Sequence, residues 1–296
     1  MNEYVRRYIM YLSEIKKASV NTVVSYRRDL KKMTEYFESQ GITDVTKVNK
    51  TNINSYILYL ERTCGSTATQ SRCIASMKAF FMYLRNENEI DTLPTADVKA
   101  PHVEKKAPDV LSVEEMMRLL QQPDCKTAKG KRDKAMLELL YATGIRVTEL
   151  ISLCLSDVNM ELSYIQCRSR EKARIIPFHQ GTKEALLKYL LDARIEFVKE
   201  NNTDTLFTNY AGEPMSRQGF WKLIKAYAAQ AGIGKVITPH ILRHSFAAHL
   251  VENGADLRAV QEMMGYSDLS STQIYAAMAN NKIRDVYARS HPLGSK

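Results

Sequence analysis

The run Thr238-Pro239-His240-Ile241-Leu242-Arg243-His244 decides how the chain is read. Threonine is a favoured helix N-cap and proline a favoured first helical residue, so a helix is predicted to start here. Leu242, Phe246 and Leu250 follow at i, i+4 and i+8, a stripe that anchors the helix in a core. His240 and Arg243 stand three residues apart on one face of the first turns. A helix N-terminus carries unpaired backbone N–H groups and the positive end of the dipole, so an imidazole and a guanidinium there suit a phosphate. The plainer reading is a capped helix with polar groups on its surface.

Most of the chain around this helix shares its periodicity. Everything after Gly181 reads as helix, with breaks at Asn201-Asn202, Gly212 to Pro214, Gly232 to Gly234 and Gly265. Before it, Tyr164 to Cys167 and Arg174 to Phe178 read as two short strands around a polar turn, the one convincing β-hairpin. Arg132 to Leu155 reads as a helix, a break at Thr143-Gly144 and another helix, while Ser112 and Glu115 have the spacing of a capping box. Towards the N-terminus, apolar residues recur at helical spacing from Tyr4 to about Leu93, as in Tyr26, Leu30, Met33 and Phe37. Ser19 or Asn21 caps one helix there, Gly41 ends it, and Ser66 with Thr67 opens another.

The expected organisation is a helical bundle over 1–93, a linker over 94–111 and a second, mainly α-helical domain over 112–296. The linker holds Pro94, Pro101 and Pro108 with Lys99, Lys105 and Lys106. It either tracks a phosphate backbone or serves as a plain solubilising hinge.

At 296 residues and 45% hydrophobic content the chain can bury two cores, which argues against disorder throughout. Its net charge of +9 and pI of about 9.2 favour polyanionic partners without identifying one. Both halves are basic, +5 over 1–106 and +4 over the remainder, so both could face the same polyanion. The five cysteines are odd in number and lack CxxC spacing, so they read as reduced structural thiols and no zinc is expected. Met1 to Met10 is too polar for a signal peptide and no run is long and apolar enough to span a bilayer. The protein is expected in the cytoplasm.

Four longer segments carry a resemblance. The run His240 to Ala247, continued by His249-Leu250, Glu252 to Leu257 and Val260-Gln261, closely resembles a catalytic segment of the Xer-like members of the tyrosine recombinase (phage integrase) family. Met264-Gly265-Tyr266-Ser267-Asp268 leads into Ser271-Thr272-Gln273-Ile274-Tyr275, similar to the family's segment ending in the nucleophilic tyrosine. Arg132 to Met136 with Tyr141 to Leu150 is similar to its first arginine segment, and Asn21-Thr22 with Ser25 to Leu30 to its core-binding domain. The resemblance thus spans nearly the whole chain. It implies a SAM-like helical core-binding domain joined to the catalytic domain in a C-shaped clamp on double-stranded DNA.

It also implies strand cleavage and rejoining through a 3′-phosphotyrosyl intermediate and a four-way junction. Tyr275 would be the nucleophile, Arg146 and Arg243 would neutralise the two non-bridging phosphate oxygens, and His240 would transfer a proton or hydrogen-bond the phosphate. Two arginines supply the charge that two-metal nucleases take from Mg²⁺, and the phosphotyrosyl bond conserves energy, so no cofactor, metal or ATP is expected. Taken singly these residues say less: Tyr275 is one of 16 tyrosines, and Arg146 could be a surface arginine, with Glu149 either orienting its guanidinium or merely supporting the helix. Asn280 to Tyr287 reads as an amphipathic helix that the resemblance would dock into a neighbouring protomer of a tetramer, identical or paralogous, with accessory proteins possible; packing on its own domain is the alternative.

The sequence departs from the family twice. The hairpin lysine that acts as general acid falls at Ser169 or Arg170 by count, and Lys172 is the only lysine in the turn. Tyr266 stands where the family has histidine or tryptophan, either as an altered hydrogen-bond donor or as packing. A type IB topoisomerase and a DNA-binding architectural protein that no longer cuts are the rival readings. Chromosome-dimer resolution and integration or excision of a mobile element are equally open biological roles.

Overall fold

The computed structural model describes residues 1–101, 109–168, 173–198 and 203–266. The chain divides into two compact units, Met1–Lys106 and Ala107–Lys296.

In the first unit, α1 (Asn2–Met10), α2 (Val20–Ser39), α3 (Lys50–Thr63) and α4 (Thr67–Asn86) pack around a core that includes Leu30, Phe37, Ile53, Tyr56, Phe80 and Phe81. The caps follow the local chemistry: Ser19 accepts from the Thr22 amide and Ser66 from the Thr69 amide, each satisfying an otherwise orphaned donor. Gly41, at φ +77°, carries the chain out of α2 one residue past its cap, Gln40. Residues 94–101, read from the sequence as the start of a linker, lie against α4 instead. Lys78 donates to the Val98 carbonyl at 2.7 Å, Ser71 to the Pro101 carbonyl at 2.9 Å, and Thr95 and Val98 are buried.

The second unit runs α5 (Val113–Gln121), α6 (Ala128–Thr143), α7 (Val147–Ser152), β1 (Val158–Asn159), β2 (Tyr164–Cys167), β3 (Arg174–Pro177), α8 (Gln180–Asp192), α9 (Arg194–Val198), α10 (Arg217–Gln230), α11 (Pro239–Glu252) and α12 (Leu257–Met264). The hairpin β2-β3 is antiparallel, pairing Ile165 with Ile176 and Cys167 with Arg174, and the two-residue β1 adds a third strand on the β2 side. That strand is too short to show any alternation, which is why the sequence reads as a hairpin alone.

Helix α6 is buried on nearly all sides, packed by α8 and α11, and even its charges are inside. Arg132 forks onto Asp133 at 2.8 and 3.0 Å, donates to the Thr208 carbonyl and lies over the Phe197 ring at 4.6 Å. Buried ions persist only when paired and hydrogen-bonded in this way.

Helix α11 opens as its sequence predicts, Thr238 accepting from the Ile241 amide with Pro239 in the first turn. Its surroundings differ from the expectation of one anchored stripe. Arg243, Ser245, Ala247, Ala248 and His249 are buried along with Leu242 and Phe246, because α6 packs on one side and α12 on another. Ser245 accepts from the Leu111 amide at 2.8 Å and His249 Nε2 meets the Leu111 carbonyl at 2.9 Å, so one residue ahead of α5 is tied to two successive turns of α11. With Nε2 as the donor there, His249 Nδ1 accepts from the Tyr141 hydroxyl, 2.8 Å away.

Candidate active site

The site is organised by the end of α12. Gly265, at φ +61°, donates its amide to the Glu262 carbonyl, and the Tyr266 amide returns to the Gln261 carbonyl at 3.2 Å, the paired bonds of a Schellman cap. Both bonds go to earlier carbonyls and leave those of Met263, Met264 and Gly265 to find other donors. Three arginines from three elements supply them. Arg174 Nε of β3 donates to the Met263 carbonyl at 3.0 Å, Arg243 Nη2 of α11 to that of Met264, and Arg146 Nη2 to that of Gly265 at 3.1 Å. The negative end of the α12 dipole draws cations to this point.

Arg146 reaches it because Gly144 ends α6. Gly144 holds a left-handed φ of +59°, which frees the chain to turn and makes Arg146 the N-cap of α7. Glu149, three residues on, then accepts from the Arg146 amide at 2.7 Å and from its guanidinium at 3.4 Å. The second partner of Glu149 is Arg174 Nη2 at 2.8 Å. Burial alone would push the Glu149 carboxyl up, but the hydrogen bonds from Arg174 and the Arg146 amide outweigh it and hold the group below the usual carboxylate range.

Arg243 is 4% exposed. It donates through Nη1 to the Gly144 carbonyl, and its guanidinium carbon lies 5.0 Å from the centre of the Tyr266 ring. Burial draws its pKa below the ordinary arginine value, yet a guanidinium remains charged at neutral pH. Arg146 gives two donors to these contacts, and Arg243 gives two to carbonyls with Tyr266 as a further partner, out of the five a guanidinium offers. Donors are left over for a phosphate.

The structure therefore brings together Arg146, Arg243 and Tyr266 of the residues singled out from the sequence. His240 occupies the first turn of α11, three residues before Arg243, and is exposed where Arg243 is buried. Tyr275, Lys172, Ser169 and Arg170, and the tail Asn280 to Tyr287, lie outside the described residues. No group of three His, Cys, Asp or Glu side chains among the described residues is placed to hold a metal ion. Among the same residues no helix is long and apolar enough to cross a membrane.

Arg174 was not singled out from the sequence, although a signal exists. In β3 it shares a face with the buried Ile176 two residues on, and a charged residue at the inward register of a strand requires an acidic partner inside.

His244 follows Arg243 and is partly buried. Burial, with His240 and Arg243 as neighbouring charges, holds its pKa below the ordinary value, so it is neutral when folded. A depressed folded-state pKa contributes stability that is present above the unfolded value of about 6.5 and is lost as pH falls through the folded value. The melting temperature is thus expected to drop between neutral pH and pH of about 5.5. In His244→Gln that drop should be smaller, as thermal scans at the two pH values would reveal.

The chain belongs to the phage integrase family, the tyrosine recombinases: the family model described as "Phage integrase family" matches residues 109–282, and that described as "Phage integrase, N-terminal SAM-like domain" matches residues 5–88. Among relatives, it is 41% identical over 293 residues to the tyrosine recombinase XerD of Staphylococcus epidermidis, covering 99% of both chains. It is 43% identical over 296 residues to the XerD of Oceanobacillus iheyensis, again covering 99% of each. Among solved structures, XerA recombinase matches with 27% identity and a TM-score of 0.56, over 98% of this chain and 99% of that one. The fold also matches XerH bound to a palindromic difH substrate in a post-cleavage complex, with 23% identity and a TM-score of 0.78 over 92% of this chain and 81% of that one.

Proposed function

We propose that this protein recombines double-stranded DNA at specific sites by cutting and rejoining strands through a bond to Tyr275. The phenolic oxygen of Tyr275 attacks a phosphodiester phosphorus, the bond to the 5′ oxygen breaks, the phenol loses its proton and the departing 5′ oxygen gains one. Rejoining is the reverse, with a different 5′ hydroxyl attacking the phosphotyrosine. Arg146 and Arg243 take the non-bridging oxygens, where charge grows in the transition state. Tyr266, against Arg243, is a further donor to the phosphate, and His240 with Lys172 handles protons.

The observation that carries this reading is the meeting of Arg146 and Arg243, nearly a hundred positions apart in sequence, on neighbouring carbonyls of one helix end. Two guanidiniums with donors in reserve make a site for one phosphate, and the +9 charge favours its polymer. A recombination site on DNA and an assembly of several protomers, of this chain or a paralogue, complete the reading.

The test is strand exchange between two labelled duplexes carrying a site selected by the full-length protein from a random-sequence duplex pool. Recombinant duplexes are the expected product. Relaxation of supercoils without exchange would favour a topoisomerase, and binding without cleavage an architectural protein.

A further inference from the structure

The three arginines at the end of α12 are not equivalent. Arg146, its side chain 44% exposed, faces solvent, and Arg243 gives both terminal nitrogens to backbone carbonyls, whereas Arg174, its side chain 9% exposed, joins the Met263 carbonyl to Glu149. It is closed in further by Gly265, where an added Cβ would stand 3.0 Å from the Arg174 guanidinium. What sets Arg174 apart is the pair of groups it joins. Its two partners are the groups that hold the others: α12 offers carbonyls to Arg146 and Arg243, and Glu149 grips Arg146.

Resting on the reading of the site as a DNA-cleaving centre, we infer that Arg174 is a positioning residue that tunes Arg146 through Glu149. Glu149 faces two guanidiniums, with Oε2 taken up by Arg174 at 2.8 Å and Oε1 meeting Arg146 at 3.4 Å. The shorter and more buried partner absorbs most of the carboxylate's charge, which leaves Arg146 loosely held and able to turn its fork to a phosphate. Without Arg174 the full carboxylate charge would act on Arg146 and compete with the DNA. Arg174 also steadies the turn that presents Tyr266, since it holds the Met263 carbonyl in the same helix end.

The measurement is single-turnover formation of the covalent adduct on a nicked suicide duplex at saturating DNA. Arg174→Met is expected to slow adduct formation roughly 100-fold, the scale of a misplaced catalytic group. Its Kd for the same duplex should change less than about threefold, because Arg174 is turned to Glu149 and the Met263 carbonyl. Adding Glu149→Gln should recover about tenfold of the lost rate, since a neutral amide still bonds Arg146 without pulling it from the phosphate. A purely structural role predicts the opposite, a double variant slower than Arg174→Met. If Arg174→Met fails to fold by thermal scan, Arg174→Gln carries the same comparison. Native-like cleavage in the single variant, or no recovery in the double, would overturn this inference alone. Absence of any adduct from the native protein would overturn the functional reading and this inference with it.

Discussion

Arg243→Lys is expected to cut the rate of adduct formation by about a thousandfold while leaving a folded protein, the range seen when a single preorganised donor to a developing charge is lost. The arginine binds the Gly144 and Met264 carbonyls through its two terminal nitrogens, lies against Tyr266 and still has N–H groups to turn to a phosphate. A lysine has one nitrogen. It can satisfy a carbonyl or a phosphate oxygen but not reproduce the planar fork, and it is the more strongly hydrated ion to hold at a buried position. The charge is retained, so the DNA dissociation constant should shift far less than the cleavage rate. A weaker dissociation constant with an unchanged rate at saturation would mean that Arg243 serves affinity alone.

Gly144→Ala is expected to cost about 2–5 kcal/mol, a large share of the stability of an ordinary domain. Two effects add. The left-handed φ of +59° is disfavoured for alanine by roughly 1–2 kcal/mol. The new Cβ would also fall 2.2 Å from the Phe246 ring, and repacking a crowded core costs about 1–3 kcal/mol. The clash lies against α11 one turn from Arg243, and the Gly144 carbonyl is an Arg243 partner, so cleavage should fall even where the variant stays folded. Denaturant unfolding beside the adduct assay measures both. A loss under about 1 kcal/mol would show that the turn relaxes without cost and that Gly144 does not set the geometry.

Much of this was legible in the residues themselves. Caps at Ser19, Ser66, Ser112 and Thr238, the break at Gly144 and the two strands of the hairpin follow from local chemistry, which needs few distant contacts. The burial of α11 was not legible. Arg243 and His249 read as polar, and only the tertiary partners Met264, Gly144, Tyr141 and Leu111 let them go inside. The role of Arg174 was hidden for the same reason. Its partners Glu149 and Met263 lie 25 and 89 positions away, and nothing local marks a strand residue as the support of a helix end. Periodicity likewise could not tell that residues 94–101 pack on α4, because prolines and lysines suit a packed turn as well as a spacer.

In the reaction proposed for Tyr275 a phenolic oxygen of this chain becomes bonded to DNA. The most direct measurement is to trap the adduct on a nicked suicide duplex under denaturing conditions, digest it and identify the modified peptide by mass spectrometry. The expected result is a nucleotide on the peptide containing Tyr275 and no adduct from Tyr275→Phe. An adduct that survives in Tyr275→Phe, or none from the native protein on a duplex it binds tightly, would contradict the account.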